Sequence, residues 1–314
     1  MKKKKIFGRT LKEQYIAGAN DRLTRFIMCD DSVRGAVVNT TKMINEMRSN
    51  HELGILETMV LGHAYIAGAL IASGLKGNDR ICLQIECSGP IKGLTVEANA
   101  FGEVRGYLKN IPIPVDKPLE DFNLSPFFGA GFISLIKYLE GSKQPFKGQV
   151  ELQYGSIAKD LTYYFSKSEQ IPTAVNLSIK FDSEGNVSGA GGLLLQVMPV
   201  ADDEAVGSLE EIVLELPSIG EYFAEKNKAE TLILESFKTC SPKLLANHRV
   251  EFMCHCGKER MKDYLLLLPP DDFDDLCRTG PFPLELRCHH CNSSYMFSEI
   301  DLQKLKKNRT PADR

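Results

Sequence analysis

Two short thiol pairs carry the most specific chemistry in this 314-residue chain: Cys254-His255-Cys256 and Cys288-His289-His290-Cys291. Four soft sulfur donors grouped two and two are what a closed tetrahedral Zn²⁺ site needs, each pair supplying one chelating turn. His255, His289 and His290 could in principle ligate. Each lies inside a chelate loop between two cysteines, where its ring tends to point away from a metal held by both neighbours. The expected set is therefore Cys254, Cys256, Cys288 and Cys291 around one Zn²⁺, with the histidines not bound to it. Metal binding requires thiolates, and Lys258, Arg260 and Arg287 are the nearby cations expected to offset their charge. A thiolate is also what peroxide or hypochlorous acid attacks first. Oxidation would destroy the ligands and expel the metal, so the site could double as a redox switch. The first pair is C-x-C rather than C-x-x-C, and a disulfide between such close thiols would be strained and labile. Structural zinc without switching remains open at this point.

The whole chain narrows the function classes. A length of 314 residues suggests roughly two domains, and 43% hydrophobic residues are enough for a real core. The net charge of −3 argues against a sequence-independent nucleic-acid binder, which would show a basic excess. Cys29, Cys82, Cys87, Cys240 and Cys277 are scattered without pairing pattern, which points to a reducing compartment and a cytoplasmic location. Cys240 and Cys277 have no motif spacing. Met1-Lys2-Lys3-Lys4-Lys5 is followed by Ile6-Phe7-Gly8-Arg9 and not by an apolar stretch, so no signal peptide is expected. Residues 53–75 are long and apolar enough to raise a membrane span. Glu57 and His63 interrupt them, and Gly62, Ala64, Ala67, Gly68 and Ala69 are small; a helix buried within the protein is the better reading. Four protein ligands leave no open position for hydrolysis, and no C-x-x-C opens a helix in a thioredoxin-like unit. Neither a zinc hydrolase nor a thiol oxidoreductase is expected, and the protein reads as a non-enzyme.

These residues must be positioned by an α+β fold: an N-terminal mixed domain with sheets around a buried apolar helix (1–199), an acidic helical linker (200–248), a zinc-binding module (249–305) and a basic, disordered tail (306–314). Ile81, Leu83, Ile85 and Cys87 alternate on one face of a strand. Val96 and Ala98 are answered by Val104 and Gly106 across a turn near Phe101-Gly102. Ser156 is the expected cap of a helix that must stop before Pro172. Ala174–Phe181 and Val187–Met198 form a second strand pair. From 201 to 239 there are ten acidic residues against three basic. Ser208-Leu209-Glu210-Glu211 is a capping box there, and Ser218 starts a helix on which Ala229, Leu232, Ile233 and Phe237 share a face. Such helices are marginal alone, and both a solvated linker and a docked one stay open. In the last module Lys258–Leu268 reads as a helix, Asp271–Leu276 as a turn or helix, Leu284–Arg287 as a strand, and Ser298 as the cap of a last helix. About 55 residues with so little apolar content need a staple, and zinc would supply it.

An ordered set of segments resembles one known family. They are Val33-Arg34-Gly35, Leu75-Lys76, Gly89-Pro90, Arg105-Gly106-Tyr107, Ser168-Glu169-Gln170-Ile171-Pro172-Thr173, Gly191 to Pro199, the two thiol pairs, and Cys291-Asn292-Ser293-Ser294-Tyr295-Met296-Phe297. The chain resembles the redox-regulated heat-shock chaperones of bacteria, the thirty-three-kilodalton heat shock protein family. The resemblance implies an ATP-independent holdase, inactive while reduced and zinc-bound with its linker folded over the N-terminal domain. It further implies that oxidation joins Cys254 to Cys256 and Cys288 to Cys291, that zinc leaves and that the linker unfolds. The active form is then a homodimer that captures unfolding client proteins. No nucleic acid or membrane partner is implied. Cys277, the paired histidines of the second thiol pair, Pro281 and Pro283 depart from the family pattern without touching the four ligands.

Overall fold

The computed structural model describes residues 1–4, 21–115, 123–199, 213 and 215–308. In chain order it begins with β1 (Arg22–Met28), β2 (Val33–Asn39), α1 (Thr41–His51) and α2 (Ile55–Ala72). Next come β3 (Arg80–Cys87), β4 (Gly93–Asn99), β5 (Glu103–Leu108), β6 (Gly131–Tyr138) and β7 (Phe146–Glu151). Then follow α3 (Ile157–Tyr164), β8 (Thr173–Phe181), β9 (Val187–Val197), α4 (Ile219–Ala224) and α5 (Ala229–Ser236). The last elements are β10 (Lys243–Arg249), β11 (Glu251–Phe252), α6 (Lys258–Leu266), α7 (Pro270–Thr279), β12 (Leu284–Arg287), β13 (Ser294–Phe297) and α8 (Glu299–Asn308).

The apolar stretch expected to be a buried helix is α2, and it forms the centre of the molecule. It contacts β2, β8 and β9 on one side and β3, β4 and β5 on the other. These strands belong to a five-stranded sheet, ordered β10-β1-β2-β9-β8, and a six-stranded sheet, ordered β11-β5-β4-β3-β6-β7. The small residues explain how one helix fits between two sheets. A Cβ on Gly62 would lie 2.6 Å from Ile179 of the first sheet, and one on Gly68 would lie 3.0 Å from Val96 of the second. A helix of this length and hydropathy could cross a bilayer by composition alone, but its side chains are already buried against sheet residues.

The alternating strands fall where the pattern placed them. Val96 pairs with Gly106 and Ala98 with Val104, and β8 pairs with β9 along its length. Ser156 stands at the start of α3, but its hydroxyl makes no capping bond. The Asp160 carboxylate accepts the backbone N–H groups of Gln153, Tyr154 and Ser156 instead. At the start of α1 the buried Asp21 carboxylate likewise accepts from Lys42 and Met43 N–H.

The linker differs from expectation in two ways. The helix begun at Ser218, whose hydroxyl accepts from Glu221 N–H, ends at Ala224, and α5 starts afresh at Ala229 because Lys226 takes a left-handed conformation with φ +63°. The stretch 243–249 is not helical: β10 pairs antiparallel with β1 at the edge of the first sheet. The capping box at Ser208 lies outside the described residues. The two helices dock on the outer face of the first sheet, where Ala229, Leu232, Ile233 and Phe237 are buried with Phe26, Val37, Leu193 and Leu195. Gly189 and Gly220 meet backbone to backbone, with no room for a Cβ on Gly189.

In the last module Leu284–Arg287 is the expected strand and pairs with β13. Ser298 and Asp301 cap α8 reciprocally. That helix runs through Lys306 and Lys307 to Asn308, so the part of the basic tail within the described residues is helical, not disordered.

Candidate metal centre

Each thiol pair is set by the strand that precedes it. β11 adds to the second sheet parallel to β5, and one residue later Cys254 begins the first turn, closed by the start of α6. The second pair occupies the β12–β13 turn. There Asn292, at φ +53°, lets its N–H and that of Cys291 both reach the Cys288 carbonyl. Cys288 N–H donates in turn to Ser293 O at 3.0 Å.

The two turns face each other. Cys254 Sγ lies 3.8 Å from Cys288 Sγ, and Cys256 Sγ 3.3 Å from Cys291 Sγ. All four sulfurs lie within 4.8 Å of one another, and all four residues are buried. Tetrahedral thiolates about 2.3 Å from one zinc ion are spaced about 3.8 Å apart. These separations bracket that value and far exceed a sulfur–sulfur bond of about 2.05 Å. The cluster could therefore hold one metal ion.

The charge state of the cluster makes the same point. Hydrogen bonds from Cys288 and then Cys291 hold Cys254 well below the usual thiol range, with the Arg105 guanidinium assisting. That thiolate pushes Cys288 up to about 11 and Cys291 higher still. Without a cation among them, four sulfurs this close cannot all be ionised. A divalent ion removes the conflict.

The cations expected from the sequence are engaged elsewhere. Lys258 pairs with Asp301, Arg287 with Glu285, and Arg260 donates to the His255 carbonyl. The guanidinium at the sulfurs belongs to Arg105 of β5, whose Nη1 donates to Cys254 Sγ at 3.6 Å while its Nε donates to Glu97 at 2.9 Å. The three histidine rings also have other surroundings. His255 Nε2 meets Glu103 at 2.8 Å, and His289 and His290 pack on the Tyr107 ring.

Further groups missed in the sequence join the two turns to each other and fasten the cluster to the N-terminal part of the chain. Tyr295 Oη lies 3.1 Å from Cys256 Sγ and donates to the Cys256 carbonyl. Asn50, at the end of α1, donates to the Cys291 carbonyl at 2.8 Å and accepts from the Asn292 amide at its own carbonyl. His51 Nε2 lies 3.3 Å from the His290 carbonyl, and burial lowers its pKa to about 4, leaving the ring neutral. The Met1 amino group donates to the Cys256 carbonyl at 2.8 Å. One signal was available: Arg105 and Tyr107 alternate with the inward Val104, Gly106 and Leu108, marking β5 as a strand with two occupied faces. Nothing local named the partner of that second face.

Comparison with known proteins agrees with the geometry. Residues 21–298 match the family model described as Hsp33 protein. A 33 kDa chaperonin of Agathobacter rectalis is 34% identical over 291 residues, covering 91% of this chain and 100% of the relative. A 33 kDa chaperonin of Desulforamulus reducens is 33% identical over 288 residues, covering 91% and 97%. The crystal structure of the 33 kDa chaperonin from Thermotoga maritima superposes with a TM-score of 0.83 at 33% identity, covering 92% of this chain and 98% of that one. A buried four-thiol cluster joined to a two-sheet core, and relatives matched over nearly their whole length, place this chain in the Hsp33 family of chaperones.

Proposed function

We propose that the protein is a redox-regulated, ATP-independent holdase of the cytoplasm, held inactive by one Zn²⁺ on Cys254, Cys256, Cys288 and Cys291. The observation that carries this reading is the meeting of all four sulfurs in one buried cluster, immediately after the strands that anchor the linker. Bound zinc would neutralise the four thiolates and supply on the order of 10 kcal/mol of folding free energy. Whole domains are stable by only about 5–15 kcal/mol, so a module of this size does not survive loss of its ligands.

The chain's own residues then define the switch. In each pair, two thiolates, one peroxide and two protons give one disulfide and two waters, forming Cys254–Cys256 and Cys288–Cys291. The sulfurs no longer accept from Arg105, the Tyr295 bond between the two turns is lost, and the module loses its fastening at Asn50. β11 and β10 run directly into the first turn, so disorder there reaches α4 and α5. Helices of 6 and 8 residues do not persist without a docking surface. Their departure bares Phe26, Met28, Val33, Val37, Leu193 and Leu195 together with the linker's own Phe223, Ile233 and Phe237. A patch of this kind captures unfolding clients and pairs two oxidised copies as a homodimer. Neither catalysis nor binding to nucleic acid or membrane belongs to this reading.

The test is to treat zinc-loaded protein with peroxide under mild heating while following metal release and suppression of client aggregation. Both are expected to rise together and to reverse with a dithiol reductant. Full activity in the reduced, metal-bound state would remove the redox control while sparing the chaperone assignment.

A further inference from the structure

A cleft of about 500 Å³, apart from the thiol cluster, opens at the far end of the core layer between the two sheets. The inner face of the first sheet is apolar wherever α2 covers it, as at Leu23, Val38 and Leu194. Where α2 ends, at Ser73-Gly74-Leu75, the same face turns cationic: Arg25 on β1 and Arg34 on β2 line the opening, with Lys76 at its rim. Ile71, Leu75, Ile81, Phe165 and Leu194 form an apolar floor.

The charges do not balance. The two carboxylates in the lining are occupied, Glu169 by Lys137 at 2.6 Å and Asp31 by Lys243 at 3.2 Å. The Arg34 guanidinium donates through Nε and Nη2 to a neutral oxygen, that of the Gln196 amide. Arg25 Nη1 donates to the Ser73 carbonyl, while its Nε is buried with no partner among the described residues. Among the described residues the lining thus holds four cations (Arg25, Arg34, Lys76, Lys137) against two anions (Asp31, Glu169), in a chain whose net charge is −3. Arg34 is exposed and Arg25 half-buried. A half-buried guanidinium with no carboxylate, as at Arg25, is costly unless an anion completes it, and a concave apolar site with a few convergent polar groups is the form that ligand sites take.

We infer that this cleft is a binding site for a small amphiphilic anion, a carboxylate on an aliphatic body, whose head meets Arg25 and Arg34 and whose tail lies on Leu75, Ile81 and Phe165. The apolar floor separates this class from inorganic anions, and the uncompensated guanidinium groups separate it from neutral lipids. The site uses none of the four thiols.

The test is calorimetric titration of the reduced, zinc-loaded full chain with laurate below its micelle threshold, beside dodecyl maltoside and inorganic phosphate. Laurate is expected to bind one to one. Arg25→Met and Arg34→Met should each weaken it by about tenfold or more, the size of a lost charge-assisted hydrogen bond. Lys76→Gln, at an exposed position that cannot compromise folding, should weaken it a few-fold. The unliganded Arg25→Met protein should melt no lower than the parent, because it sheds an uncompensated cation. Equal binding of dodecyl maltoside, equal binding of phosphate alone, or laurate binding indifferent to Arg25→Met and Lys76→Gln would each overturn the assignment. None of these results bears on metal release or holdase activity.

Discussion

The five-stranded sheet has two faces, and they are covered in opposite ways. Its inner face lies under α2, 18 residues long and enclosed by a second sheet. Its outer face lies under α4 and α5, of 6 and 8 residues, with Thr231, Leu234 and Glu235 of α5 exposed. Isolated helices shorter than about 12–15 residues are marginal in water, so the outer cover exists only while it is docked and tethered. In the switch proposed above, one sheet stays closed on one side and opens on the other, and the chain that follows the outer cover runs through β10 and β11 into the thiol cluster.

The sharpest way to break this comparison is to remove one of the four proposed ligands. Cys288→Ser should cost the last module on the order of 10 kcal/mol through lost metal binding. Limited proteolysis should then cut within 254–302 and across α4 and α5 while the segment 55–72 stays protected. Next in size is Phe223→Ala, a buried aromatic of the outer cover. It should cost about 3–5 kcal/mol, expressed as lost linker protection and holdase activity without oxidant. Its inner counterpart, Ile66→Ala, should cost about 2–5 kcal/mol, expressed instead as a lower melting temperature of the whole core with basal activity unchanged. If both substitutions lower global stability alike, the two faces are not different in kind.

Smaller effects sharpen the tether. Arg105→Gln removes a charge-assisted bond to Cys254, worth about 1.5–3 kcal/mol, and should speed metal loss to a chelator in the absence of oxidant. The last expectation concerns pH. Burial raises the Asp21 carboxyl to about 7, against the lowering effect of the Lys42 and Met43 N–H groups. Because the folded pKa lies above the ordinary value of 3.8, the folded state retains a proton that the unfolded chain releases. Stability from this group is full below about pH 4 and is lost as pH rises toward 7, by at most about 1.4 kcal/mol per pH unit. Melting curves should show that slope in the parent and lose it in Asp21→Asn.

Much of this architecture is legible in the sequence because its signals are local. The alternation in Ile81, Leu83 and Ile85 and the hairpin pairing of Val96 with Gly106 need only neighbouring residues. The four cysteines are legible for the same reason: chelating pairs are short. What escaped depends on distant partners. β10 reads Lys-Leu-Leu-Ala-Asn-His-Arg, and as an edge strand with much of its surface in water it carries no clean period. The break at Lys226 has neither glycine nor proline to announce it. Arg105, Asn50 and Tyr295 are ordinary on their own elements and become site residues only when β5, α1 and β13 converge on the sulfurs. Gly189 shows the same limit, since its need for a bare backbone comes from Gly220, on a helix that docks later in the chain.

The most direct test of the coupling between thiol cluster and outer cover is hydrogen–deuterium exchange on the full chain, reduced and zinc-loaded, then oxidised with peroxide. Amides of 219–236 and 254–302 are expected to lose protection together, while those of 55–72 keep theirs. A last module that unfolds beneath linker helices still protected on Phe26, Val37 and Leu195 would contradict that coupling.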